Sequence, residues 1–141
     1  MTEVFAMKLA DIQPSQLFIS VEKLSEVMKT FVPNKQKLIE PIPVKKLKDQ
    51  IVFVDGHTRA LAAFIHGLSS VPVYWEHEDL DWEAYEVCVE WCERERIYTI
   101  SDLKDRVIPH EKYQELWLDR CKEMQQSLRK RRQLRIEKER R

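Results

Sequence analysis

Glycine is scarce in this sequence, which in 141 residues has only Gly56 and Gly67. A Ser/Gly linker is thereby excluded, and every other turn has to be made by other residues. Cysteine is also sparse. Cys88, Cys92 and Cys121 form neither an even disulfide framework nor a CxxC pair. The N-terminus has no basic region followed by an apolar run, so a reduced, cytoplasmic setting is expected. No segment approaches the roughly 18 consecutive apolar residues of a membrane span, and no membrane partner is expected. A net charge is lacking too: Lys+Arg and Asp+Glu both total 24, which removes the global basicity of a dedicated nucleic-acid binder.

That neutrality is a cancellation between segments. Residues 76–95 carry nine acidic side chains against one arginine, whereas residues 122–141 carry nine basic side chains against three glutamates. The length suits one compact domain with an appendage, and 43% hydrophobic content is enough for a core. The pattern divides near residue 80. Residues 1–80 read as an α/β (α+β) domain, and residues 81–141 as a helical extension packing on it, with a basic, solvated or frayed tail at 129–141.

Within the first part, "VFAMKL" (4–9) reads as a strand and "DIQPSQLFI" as an irregular connection. Ser20 is placed to cap a helix whose Val21, Leu24, Val27, Met28 and Phe31 share one face, and Pro33 and Asn34 stop it. "PIPVKKLKDQIVFVD" reads as two strands joined at Asp49-Gln50, the second of them, Ile51 to Val54, internal because it is apolar on both faces. A helix follows over 57–66, burying Leu61, Ala62, Phe64 and Ile65 and closing at Gly67, and then the strand "VPVYW". In the extension Asp81 caps one helix, Ser101 caps "DLKDR", and Pro109 opens a last helix with a stripe of Tyr113, Leu116, Trp117 and Cys121 that fails after Leu128.

The chemistry concentrates at Asp55-Gly56-His57-Thr58-Arg59. A helix that starts directly after a buried strand presents unpaired N–H groups and the positive end of its dipole to an anion. Gly56 has no Cβ to keep a ligand from the backbone. Arg59, in the first turn, can grip a phosphate with its planar fork. A surface Asp55–Arg59 ion pair and a simple cap are the plainer readings of the same residues.

"VDGHTRALAAFIHGLSSVPV", with "PIPVKKLKDQIVFV" and "LADIQPSQL" before it, resembles the core of the ParB/sulfiredoxin superfamily over about residues 5–75. The resemblance implies a small mixed sheet with flanking helices, and nucleotide phosphates on the turn. By position, Gly56, His57, Thr58 and Arg59 become the phosphate-binding set. Asp55 and His57 become the catalytic candidates, Asp55 orienting a hydroxyl or a metal-bound water. The implied cofactors are ATP or ADP, with CTP as a third candidate, and Mg2+. The resemblance departs at three points. The reactive cysteine of sulfiredoxins is replaced by His57, little room is left for a partition protein's DNA-binding and dimerisation domains, and the Pro-x-Glu of free serine kinases is Pro14-Ser15-Gln16 here.

The expected function is therefore a nucleotide-binding protein, with phosphoryl transfer to a small hydroxylated acceptor as its extension. The alternative is a non-catalytic DNA-associated module that uses nucleotide as a switch and contacts DNA through the basic tail, and a ParB-like nuclease ranks below both. Cys88 and Cys92 read as small buried hydrophobes before half of a metal site, so no metal-ligand cluster is expected. His77, among Glu76, Glu78, Asp79 and Asp81, reads as part of a solvated loop, and Trp82, Trp91 and Trp117 as core rather than base-stacking groups.

Overall fold

A computed structural model describes residues 2–31 and 39–140. The chain is a mixed α/β fold. Strand β1 (Phe5–Lys8) leads through a short 3-10 turn to β2 (Ile19–Ser20) and helix α1 (Val21–Thr30). Strands β3 (Ile42–Leu47) and β4 (Gln50–Phe53) form a hairpin, followed by α2 (His57–Ile65), β5 (Ser70–Trp75) and α3 (Trp82–Arg94). A 3-10 turn (Ile100–Leu103), β6 (Val107–Ile108), α4 (His110–Tyr113) and α5 (Asp119–Glu139) complete it, with α4 and α5 joined through a π-helical turn (Gln114–Leu118). No helix among the described residues is long and apolar enough to cross a membrane.

The main sheet has the order β1-β5-β3-β4, with β3 and β5 parallel and both outer pairings antiparallel. Its register sets Ile42 opposite Val73 and Val44 opposite Phe53, all four of them fully buried. Contrary to the reading of its sequence, β4 is an edge strand. Its outer side is closed by Gln13, whose N–H donates to Ile51 O (2.8 Å) and whose carbonyl accepts from Phe53 N (3.0 Å). Val52 then packs with Leu47 and Val89. A single bridging residue and a covering helix thus give an edge strand the apolar faces of an internal one.

The local signals place most boundaries. Ser20 Oγ accepts from Lys23 N at the start of α1, and Asp81 Oδ1 from Ala84 N (3.2 Å) at the start of α3. The Pro33-Asn34 stop lies outside the described residues. Gly67, at φ +81°, ends α2 in a Schellman closure, with Gly67 N bonding to Phe64 O (2.9 Å) and Leu68 N to Ala63 O (3.0 Å).

Four details differ from the periodicity. The hairpin turns at Lys48 (φ +55°) and Asp49, one residue earlier than expected. Burial in α2 stops after Ala63, leaving Phe64 and Ile65 exposed, because small alanines carry the close packing of its first two turns. Thr99, not Ser101, caps the second 3-10 turn, its N–H held by Asp102 Oδ2 (3.1 Å). Leu116 is exposed, because the π-turn widens the helix and the buried stripe continues from Tyr113 to Trp117 and on to Leu128.

One hydrophobic core runs across residue 80: Leu17, Ile42, Phe53 and Leu61 share it with Cys92, Ile97, Ile100, Leu103 and Trp117. Parallel pairing of β2 with β6 draws the chain before α4 against the start of α1, where His110 N donates to Glu22 Oε2 (2.6 Å). Beyond Leu128, α5 continues to Glu139 as a solvated helix. Arg132 ties it back through Asp81 Oδ1 and Glu83 Oε1, both at 2.7 Å. The basic and acidic segments meet there, so the neutral total has a structural counterpart.

Candidate functional site

The turn between β4 and α2 is built on Gly56. This residue is the N-cap of α2 in a left-handed conformation (φ +80°, ψ +18°), with its N–H bonded to Asp55 Oδ1 (2.8 Å). Ala60 N to Gly56 O (2.9 Å) is the first helical bond, and no side chain caps this end. The amides of the first turn therefore have no partner within the helix.

The close approach that Gly56 permits is already in use within the protein. A Cβ there would lie 3.0 Å from Ile42 Cγ2 and 3.1 Å from Arg59 Nη2. The guanidinium is thus folded back over the turn. Arg59 Nη1 donates to the carbonyls of Glu40 (3.0 Å) and Pro41 (3.1 Å) and stands 3.6 Å from Glu40 Oε2. The carbonyl bonds are the stronger hold, because the Glu40 carboxylate is 82% exposed and screened by water. The missing Cβ makes room for a guanidinium and a core isoleucine.

Asp55 and Arg59 together line an open cleft of about 750 Å³, walled by Pro41, Pro43, Tyr74, Trp75, Glu76 and Glu78. Its volume is in the range of small-molecule sites. Four carboxylates, Glu40, Asp55, Glu76 and Glu78, face it against the one guanidinium, with His77 beside them. At ~4 Å a like-charged pair costs about 1 kcal/mol in water and several times that near a protein surface. A bare anion would be opposed here, whereas an anion that carries its own divalent cation would have its charge balanced. Burial and the Glu76 carboxylate push the Tyr74 phenol above its usual range, so it faces the cleft as a neutral donor.

His57 turns the other way. It is buried, its ring 5.2 Å from that of Phe53, and Nε2 accepts from Ser15 N (2.9 Å). Burial lowers its pKa from 6.5 to about 4, with the Asp55 carboxylate opposing, so the imidazole is neutral and its proton sits on Nδ1. It lines a second cavity, of about 200 Å³, with Ser15, Gln16, Tyr85 and Cys88. Asp55 and Arg59 are thus brought together, His57 is separated from them, and Gly56 and Thr58 line neither of these two cavities.

Sequence reasoning missed the aromatic and acidic wall from Tyr74 to Glu78. It also missed Ser15, whose Oγ donates to Phe53 O (2.7 Å) beside the histidine contact. The first was legible in principle as the C-terminal end of a strand that lies parallel to β3. The carbonyl hold of Glu40 and Pro41 has no side-chain signature at all. Among the described residues no cluster of three or more His, Cys, Asp or Glu could hold a metal.

With this geometry in view, the chain is similar to the crystal structure of protein Atu1540 from Agrobacterium tumefaciens. The TM-score is 0.51 at 14% identity, covering 73% of this chain and 62% of that one. A second likeness is to SbnI with a C-terminal truncation from Staphylococcus aureus, with a TM-score of 0.43 at 19% identity, covering 53% of this chain and 31% of that one. The first shows a shared fold and nothing of function; the second carries no argument. The chain spans less than two thirds of either structure's length. No family model matches the chain, and no curated protein matches it.

Proposed function

We propose that the chain is a ParB/sulfiredoxin-like protein that binds a nucleotide, ATP or ADP, as its Mg2+ complex in the cleft of Asp55 and Arg59. The observation that carries this reading is the position of Arg59. Two backbone carbonyls anchor one guanidinium nitrogen, which leaves the opposite edge of the fork preorganised for phosphate oxygens at the start of α2. Asp55, Glu76 and Glu78 give the cleft the negative charge that would favour a cation held by the nucleotide's own phosphates, and Tyr74 and Trp75 offer aromatic faces for a base.

As an extension, a small hydroxylated acceptor would receive a phosphoryl group with Asp55 orienting its hydroxyl. Such chemistry rests on positioning and charge neutralisation. His57 serves this reading as a positioning residue: neutral and buried, it fixes the segment at Ser15 against the foot of α2. The alternative is a non-catalytic DNA-associated module; Arg132 of the basic tail is engaged by Asp81 and Glu83, so its DNA contacts would fall to the tail's other basic residues.

Calorimetry with ATP, ADP and CTP, each with and without Mg2+, tests the proposal. Binding at millimolar affinity or tighter that needs Mg2+ and is weakened about 10-fold or more in Arg59→Ala supports it. No heat with any of the three nucleotides, in the presence of Mg2+, discards it.

A further inference from the structure

Three free thiols lie in the helical half, and the fold treats them differently. Cys92 on α3 is fully buried, its Sγ donates to Gln16 O (3.6 Å), and burial pushes its pKa up to about 12. Cys88, one turn earlier on the same helix, is buried too, but it lines the cavity of about 200 Å³ together with Cys121 from α5. The two thiols are neighbours on that cavity, one from each helix, close enough for each to shift the other's titration. Cys121 is partly exposed and Cys88 buried, so a reagent entering the cavity from solvent reaches Cys121 first.

The electrical setting separates their roles. The nearness of Cys88, helped by the Arg120 guanidinium, holds the Cys121 thiol below its usual range, and the nearness of Cys121 together with burial pushes Cys88 above its own. Arg120 is itself held over the Trp91 ring, 4.1 Å from its centroid. A partly exposed thiol sharing one small cavity with a shielded thiol from another helix is the arrangement of an attacking and a resolving cysteine.

We propose that Cys121 and Cys88 form a hydroperoxide-reactive dithiol, which oxidises to a disulfide joining α3 to α5. The Cys121 thiolate attacks one peroxide oxygen, an S–O bond forms, the O–O bond breaks, and the leaving oxygen takes a proton to depart as water or an alcohol. Cys121 is then a sulfenic acid. The Cys88 sulfur attacks it, the S–S bond forms, the S–O bond breaks, and the hydroxide leaves as water with the Cys88 proton. Two thiols lose two electrons, and the peroxide is reduced by two. The reaction needs no metal or cofactor. A cavity of about 200 Å³ is too small for a drug-sized ligand and suits hydrogen peroxide or a short alkyl hydroperoxide.

The dithiol lies apart from the nucleotide cleft but bears on the same turn. Tyr85, between Trp82 and Cys88 on α3, donates its hydroxyl to Val54 O (3.0 Å), the carbonyl just before Asp55. A bond that ties α3 to α5 would stiffen the wall on which this contact rests.

The test uses the full chain with a few equivalents of hydrogen peroxide, alkylation under denaturing conditions, and peptide mass mapping. The expected result is loss of two of the three thiols, an intramolecular Cys88–Cys121 peptide, and Cys92 alkylated. In Cys88→Ser, a sulfenic-acid trap labels Cys121; in Cys121→Ser, thiol loss slows about tenfold or more. Survival of all three thiols, a link through Cys92 or between chains, or a trap on Cys88 would overturn the proposal. The unsubstituted chain decides by itself should either variant fail to fold.

Discussion

Replacing Gly56 with alanine tests the architecture of the turn, and Gly67→Ala is its internal control. Both glycines lie at nearly the same left-handed φ, +80° and +81°, so the backbone penalty for a Cβ is about the same at each, about 1 kcal/mol. Their surroundings differ. At Gly67 a Cβ meets nothing within 4 Å, whereas at Gly56 it falls 3.0 and 3.2 Å from two carbons of Ile42 and 3.1 Å from Arg59 Nη2. The arginine can swing away at the cost of its carbonyl bonds. Ile42 cannot, being fully buried between β4 and β5. Overpacking of this kind costs about 1–3 kcal/mol. Urea unfolding followed by circular dichroism should therefore show a loss of about 1 kcal/mol for Gly67→Ala and about 2–4 kcal/mol for Gly56→Ala. Equal losses, or a smaller one at Gly56, would refute the claim that this glycine exists for a packed turn.

Arg59→Ala should weaken Mg-nucleotide binding about 10- to 100-fold by calorimetry, the share of one charge-assisted contact, and Arg59→Lys should recover only part of it because an ammonium lacks the fork. His57 has a folded pKa of about 4 and an unfolded value of 6.5, so the folded state binds fewer protons between them. The sign follows: stability is full above about pH 6.5 and falls as pH drops towards 4, by about 3 kcal/mol in total. Difference unfolding curves of the native chain and His57→Gln over that range should isolate this slope, and parallel curves would count against a buried neutral imidazole. Arg132→Ala should leave global unfolding nearly unchanged while hydrogen exchange quickens in residues 129–139. Salt should mimic the substitution, because the contacts to Asp81 and Glu83 are exposed ion pairs.

Much of the fold was written locally. The caps at Ser20 and Asp81, the closure at Gly67 and the opening at Pro109 depend on one to four neighbouring residues, and each appears where its residues stand. Errors arose where a distant segment intervened. Ile51 to Val54 looked internal because they are apolar on both sides, but the second partner is a single residue, Gln13, with Val89 covering the face. The exposure of Leu116 follows from a π-turn that a fixed 3.6-residue period cannot represent.

The site divides along the same line. The identity of the turn, its lone glycine and the arginine three residues on are properties of adjacent residues, and the sequence by itself determined that they begin a helix after a strand. Only the tertiary structure decided which way each side chain goes: Arg59 back onto the Glu40 and Pro41 carbonyls, Asp55 into an acidic cleft, His57 inward to Ser15. It also brought Cys88 and Cys121, 33 positions apart, to one cavity. The physical reason is that capping and turn chemistry act over a few bonds, whereas desolvation, charge and cavity shape depend on groups that only the packed chain brings together.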